Sequence, residues 1–207
     1  AILAQLREMS AEEDSKWEGG KVSGSIYHGE HEHYDFLNEC FGYFNHTNAL
    51  QRDMCPSMSR FESEIIAMTL DMLNADAVTQ RDPSLTPCGT LGFGGTESIM
   101  NSVLAYRNIA QERGVARPQM IWPETAHPAF TKGAHLFGLD VVVAPVDPVT
   151  TMVDLDFVAD HIVPETAMLI GTAGNYAYGT IDSIPGLSDL AVEHGTYLHV
   201  DACLGGF

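Results

Sequence analysis

Residues 167–202 read AMLIGTAGNYAYGTIDSIPGLSDLAVEHGTYLHVDA, and the alternation inside this stretch decides the fold. An apolar run at 167–172 gives way to turn-forming sequence, then to a helical pattern near 185–194, then to a second apolar run at 196–202. The two runs are continuously apolar rather than alternating, which is the pattern of strands buried on both faces. Strand, helix, strand in that order reads as a parallel crossover unit. The pattern extends upstream. DVVVAPV at 140–146 and MIW at 120–122 are further strand candidates. A helix near 154–162 separates the strand candidates at 140–146 and 167–172. Phe130, Ala134 and Phe137 mark a helix stopped by Gly138, and Ile99, Met100, Val103, Leu104 and Ala110 make a stripe on a helix starting near 97. The expectation is an α/β fold, a mainly parallel sheet flanked by helices.

Upstream of residue 85 the character changes. Ser59-Arg60-Phe61-Glu62 reads as a capping box opening a helix, with Phe61, Ile65, Ile66, Met68, Thr69, Met72 and Leu73 on one face. Met68 and Met72 are expected in the core. Residues 1–58 are rich in Gly, His, Asn and acidic side chains, and read as an arm of short helices and loops. The expected division is therefore an arm at 1–58 and a larger domain from 59 to 207, without internal repeats.

The 207 residues carry 10 Lys and Arg against 28 Asp and Glu, a formal net charge of −18. Such a chain repels phosphate backbones and anionic bilayers, so nucleic acid and membrane surfaces are poor partners. At 45% hydrophobic and 18% charged residues, the composition is globular. Cys40, Cys55, Cys88 and Cys203 form no C-x-x-C pair, and the amino terminus lacks the order of a signal peptide. A soluble, cytoplasmic protein with reduced thiols is expected.

Three places could carry chemistry. Gly94-Gly95-Thr96-Glu97-Ser98 opens a helix, where glycines admit a ligand to the backbone and free amides favour an anion. It is either a phosphate cradle or an ordinary strand-to-helix turn capped by Thr96, and no Gly-Lys-Ser/Thr makes it a Walker loop. His127 follows a strand candidate at the edge where ligands gather in parallel sheets, as a functional group or as a satisfied structural histidine. Asp201 completes a buried strand, a costly position unless the carboxylate meets a cation, donors or a metal; capping the next turn is the alternative. His28, Glu30, His31, Glu32 and His33 are the densest set of metal-ligand types, but they lack H-E-x-x-H spacing and read as an exposed loop. No metal site is expected.

With these residues in order, the chain resembles the pyridoxal-phosphate enzymes of the group II decarboxylase superfamily, and within it the sphingosine-1-phosphate lyase family. The resemblance runs from about Val22 to Phe207. It rests on Cys88-Gly89-Thr90 with Gly94-Gly95-Thr96-Glu97-Ser98, on the segment from His127 to Lys132, on Tyr178-Gly179-Thr180-Ile181-Asp182, and on His199-Val200-Asp201-Ala202-Cys203-Leu204-Gly205-Gly206-Phe207. It implies the amino-terminal portion of a fold-type-I large domain with pyridoxal 5'-phosphate as cofactor. In that reading Gly95, Thr96 and Ser98 hold the cofactor phosphate, and His127 stacks on the ring. Asp201 pairs with the ring nitrogen, and Thr172 and Ala202 line the ring. A carboxylate at that nitrogen keeps it protonated and makes the ring an electron sink.

Two departures bear on substrate and completeness. Family lyases carry Asn-Pro-Leu-His-Pro-Asp where this chain reads Asn48-Ala49-Leu50-Gln51-Arg52-Asp53, so Gln51 replaces a phosphate-gripping His. Arg52 is the alternative cation, and Tyr27 matches a family tyrosine nearby. The Schiff-base lysine of the family lies in an Asp-x-His-Lys segment beyond the His-Val-Asp-Ala-Cys motif, and Lys16, Lys21 and Lys132 lack that context. The chain is therefore expected to be the amino-terminal part of a longer polypeptide. The implied activity is cleavage of a phosphorylated long-chain base to a fatty aldehyde and phosphoethanolamine by a homodimer with shared active sites. An amino-acid decarboxylase and a non-catalytic structural or regulatory fragment are the competing readings.

Overall fold

In the computed structural model, residues 1–20 and 30–207 are described, and they fall into two compact units, Ala1–Ser59 and Arg60–Phe207. The first unit holds α1 (Ile2–Trp17), α2 (His31–Phe44) and the start of α3 (Pro56–Met72). These helices are longer than the short pieces expected of an arm. Residues 31–33 form the first turn of α2 rather than a loop, and His31 Nε2 lies 3.2 Å from Glu18 Oε1. His28 and Tyr27 lie outside the described residues.

The start of α3 also departs from the capping-box reading. The helix begins at Pro56, whose fixed φ suits a first helical position and whose missing N–H costs nothing there. Ser59 is consequently inside the helix, and Arg52 Nη1 donates to its Oγ at 3.3 Å. The apolar stripe is real but uncovered: Met68 and Met72 are 58% and 57% exposed, so neither is a core residue. A short helix, α4 (Ala75–Arg81), follows.

From residue 95 the elements are α5 (Gly95–Glu112), β1 (Gln119–Pro123), α6 (Ala129–Phe137), β2 (Asp140–Ala144), α7 (Leu155–His161), β3 (Thr166–Thr172), α8 (Ile184–His194) and β4 (Tyr197–Asp201). All four strands are parallel, in the order β2-β1-β3-β4. Gly95 starts α5 two residues before the sequence pattern suggests, because glycine hides the apolar period there. Gly138 closes α6 at φ 73° and Gly195 closes α8 at φ 66°, conformations that favour glycine. Asp154 caps α7 by accepting from the Phe157 amide at 3.0 Å.

Two apolar layers sandwich the sheet. On one face Ile99 and Val103 of α5 and Ala129, Phe130 and Ala134 of α6 pack on Met120, Trp122, Met168 and Ile170. On the other, Val158 of α7 and Leu187 and Ala191 of α8 pack on Ile121, Ala144 and Leu169. Burial on both faces holds for β1 and β3, the central strands. It fails for the two edge strands: Val141 and Val143 of β2 remain 40% and 49% exposed, and β4 is only half-buried along its length, Asp201 included. No helix among the described residues is long and apolar enough to cross a membrane.

Candidate functional site

Topology fixes where a ligand fits. From β1 the chain moves outward to β2, then returns past β1 to β3 and moves outward the other way to β4. The switch point lies between β1 and β3, and in open parallel sheets the crevice outside the carboxyl ends at that point is the binding position. Pro123 ends β1, Thr172 ends β3 and Asp201 ends β4 on that edge. A short connection joins the carboxyl end of α5 to the start of β1, so α5 runs against the strands. Its 18 residues span about 27 Å against about 17 Å for a five-residue strand, which brings its amino end to the same edge.

That amino end is open. Gly94 takes φ 137° and ψ 168°, a region essentially restricted to glycine, and no side chain caps the helix. A Cβ added to Gly94 or Gly95 would meet no atom within 4 Å, so there is space for a ligand against the backbone. The first-turn amides of Gly95, Thr96 and Glu97 precede the first helical bond, from Ser98 N to Gly94 O at 3.1 Å. Glu97 turns its carboxylate back onto the Phe93 amide. Thr96 is exposed at the opening. The Ser98 hydroxyl points elsewhere, donating to Gly94 O at 3.2 Å, so its proton is committed within the helix.

His127 sits between β1 and α6. Its Nδ1 accepts from the Ala129 amide at 3.1 Å, which places the proton of the neutral ring on Nε2 and fixes the ring's orientation. The ring is exposed. Beside it, the Thr125 Oγ1 is buried with no hydrogen-bond partner among the described residues.

Asp201 shares a face of β4 with His199, two residues earlier. His199 lies edge-on to Phe130 of α6 (5.6 Å, 72°) and Tyr106 of α5 (6.3 Å, 82°). The Asp201 carboxylate therefore projects on the side of the sheet that carries α5 and α6, with the open end of α5 and with His127. Burial pushes the His199 imidazole below its ordinary range, and the Asp201 charge partly opposes that shift. Thr172 is the register partner of Asp201, but its hydroxyl donates to Asp182 Oδ2 at 2.8 Å and is not a spare donor for a ligand. Ala202 is half-buried and accepts from the Gly206 amide.

Thus Gly95, Thr96, His127, Asp201 and Ala202 stand along one edge, with Thr172 and Ser98 there but turned to protein partners. Gln51 and Arg52 are exposed residues of the first unit. Asp182, to which the motifs assign no role, is 2% exposed and its carboxylate accepts three hydrogen bonds. Its position just before Ser183 and Pro185 disguises it as an ordinary helix-start residue.

The family model for the pyridoxal-dependent decarboxylase conserved domain matches residues 27–207. The chain belongs to that family. Among relatives of this decarboxylase-family chain, it is 37% identical over 206 residues to sphingosine-1-phosphate lyase 1 of Mus musculus, covering 100% of this chain and 34% of the relative. It is 38% identical over 194 residues to the sphingosine-1-phosphate lyase of Saccharomyces cerevisiae, covering 93% and 32%. The chain thus spans about a third of the length of the curated relatives it matches. A solved Burkholderia pseudomallei sphingosine-1-phosphate lyase superposes with a TM-score of 0.95 at 60% identity, covering 99% of this chain and 47% of that one. A Lactobacillus brevis glutamate decarboxylase shares the fold, with a TM-score of 0.70 at 20% identity, over 86% of this chain and 42% of that one.

Proposed function

We propose that this chain forms the amino-terminal arm and the cofactor-holding part of a pyridoxal-phosphate-dependent lyase. Its substrate is a phosphorylated long-chain base, and its products are a fatty aldehyde and phosphoethanolamine. One observation carries the reading: an open glycine-rich helix end, an oriented imidazole and a strand-end carboxylate share one edge and one face of a parallel sheet. The likeness to the lyases from Mus musculus and Burkholderia pseudomallei supports the substrate class.

The residues fit pyridoxal phosphate. Open space at Gly94 and Gly95 leaves a cradle that a Cβ would fill, and the free amides there suit a dianionic phosphate. No hydrogen bond among the described residues engages the Asp201 carboxylate, which leaves it to meet a ring N–H. When bound, the cofactor supplies an electron sink for the charge left by bond cleavage. Gly95 and Thr96 bind the phosphate, His127 packs its flat ring on the pyridine, and Asp201 holds the proton on the ring nitrogen. Ala202 borders the ring. Arg52, with Gln51 and Tyr27, takes the substrate phosphate, since a guanidinium offers a planar fork of donors. The exposed apolar residues Ile2, Leu6 and Met9 on α1 and Phe36 and Phe41 on α2 support a homodimer, in which such faces are buried. The four unbridged cysteines support a reducing, cytoplasmic setting.

The test uses the protein at its natural length. It should release aldehyde and phosphoethanolamine from a phosphorylated sphingoid base. Asp201→Asn should cut turnover by about 10²- to 10³-fold with the fold intact, a loss of about 3–4 kcal/mol for a preorganised charge. Carbon dioxide release from an amino acid, without aldehyde, would assign the decarboxylase chemistry instead.

A further inference from the structure

We infer that Asp182 is a positioning residue for Asp201, acting through the end of β3. The inference rests on the reading of Asp201 as the partner of the cofactor ring nitrogen.

Asp182 is buried, and no cation pairs with it among the described residues. Its Oδ2 accepts from both the amide and the hydroxyl of Thr172, each at 2.8 Å, and its Oδ1 accepts from the Val153 amide at 2.8 Å. Its own amide donates to Thr172 O at 2.9 Å. A buried carboxylate is an expensive way to end a strand, because desolvation must be offset by several donors. Here all the donors belong to two segments that meet at the carboxyl edge of the sheet.

Those donors lead to Asp201. Thr172 is its register partner, and Ala173, the next residue, donates its amide to Asp201 O at 2.8 Å. The turn after Asp201 hangs on the same residue, since the Gly205 amide donates to Ala173 O at 3.0 Å. Backbone contact there is so close that a Cβ on Gly205 would lie 2.6 Å from Ala173 O. Asp201 and its turn are thus held by Ala173, while Thr172 is clamped by Asp182. The other oxygen of Asp182 ties in Val153, at the base of a hairpin closed by the pairing of Val146 with Val153. Within that hairpin Thr151 has φ 56°, a strained value for a β-branched residue, and its hydroxyl bonds to that of Thr180. The carboxylate thus ties the hairpin to the end of β3, and it is the end of β3 that holds Asp201.

Asp182→Asn keeps the shape but turns one acceptor into a donor that faces backbone N–H groups. In the natural-length protein, pyridoxal-phosphate titration followed by visible absorbance should show affinity weakened about 10- to 100-fold, the range of outer partners of a binding group. The bound cofactor's absorption band and its pH profile should shift toward those of Asp201→Asn. Hydrogen exchange of the Thr172 and Ala173 amides in the cofactor-free protein should accelerate. A matched core variant, Val158→Ala, should lower the melting temperature without moving the band or its pH profile. Thr172→Val should mimic Asp182→Asn, and the double variant should be no worse than either single one. If the Asp182→Asn protein does not fold, Thr172→Val with Thr172→Ser as its rescue decides the matter.

An unshifted band and wild-type affinity in Asp182→Asn, or additive losses in the double variant, overturn the inference. Asp201→Asn separates the two claims. If it leaves affinity and spectrum unchanged, the cofactor reading itself fails; if it changes them while Asp182→Asn does not, only the positioning role fails.

Discussion

Gly205→Ala probes how tightly the turn after Asp201 is seated. The added methyl would lie 2.6 Å from Ala173 O, 3.1 Å from Ala173 Cβ and 3.2 Å from Ala173 C. The nearest of these is a backbone atom paired with Gly205 itself, so no side chain can swing away. Restoring an ordinary 3.4 Å contact takes about 0.8 Å of backbone movement, more than the roughly 0.5 Å within which a functional constellation must be held. Overpacking of this kind costs about 1–3 kcal/mol. At about 2–4 °C per kcal/mol for a domain of this size, the melting temperature should fall by several degrees. Cofactor affinity should fall with it, because the displaced turn begins at Asp201. Gly42→Ala is the internal control. It lies inside α2 with nothing within 4 Å of the new methyl, and should stabilise by about 0.5–1 kcal/mol. Thermal unfolding and a pyridoxal-phosphate titration on both variants provide the comparison. A Gly205→Ala protein that melts with the wild type and binds the cofactor equally well would refute the close-packing argument.

Other outcomes follow from the same geometry. Gly94→Ala places an L-residue at φ 137°, which should cost about 1–3 kcal/mol and weaken pyridoxal-phosphate binding; unchanged melting and affinity would contradict the cradle. His199 is held below its ordinary value of 6.5, chiefly by burial, so the unfolded chain takes up the proton first as pH falls. Stability should therefore decline on acidification below about pH 6.5, and His199→Phe should flatten that slope in urea titrations at several pH values. Arg52→Ala should raise KM for a phosphorylated sphingoid base by about tenfold, the worth of one charge-assisted bond, while leaving cofactor affinity unchanged. An unchanged KM would remove Arg52 from the substrate site.

The helices and strands after residue 95 are legible because their periods are strong and their stops explicit. Gly138 and Gly195 end helices where the pattern ends, and Asp154 caps where a helix begins. Burial is less legible. β2 has the same apolar run as β3, yet Val141 and Val143 are exposed because strand order, which no local pattern encodes, places β2 at the edge. Pro56 rather than Ser59 starts α3, since its fixed φ suits the first helical position and the N–H it lacks would have no intrahelical partner there. The candidate residues Gly95, His127 and Asp201 stand out as chemical types at element ends. Asp182 does not, because its importance comes from amides 10 and 29 residues away in sequence. The commitment of the Thr172 and Ser98 hydroxyls is equally invisible, since a hydroxyl's partner is chosen by the fold.

The place of β1 in the sheet has a consequence for how the chain acquires its structure. One side of β1 is filled by β2 after a single helical crossover, but its other side waits for β3, with Gln119 and Thr166 separated by 47 residues. A chain in which β1 has paired with β2 but not yet with β3 would leave the inner edge of β1 open and Ile121 without the cover that α7 and α8 give it in the finished fold. Pairings this distant are slow because loop closure must be paid for before contacts reward it. Such an intermediate exposes a sticky template for other chains. Refolding yield should accordingly fall with protein concentration, and the late arrival of β3, rather than any weakness of the finished core, sets the window in which aggregation competes.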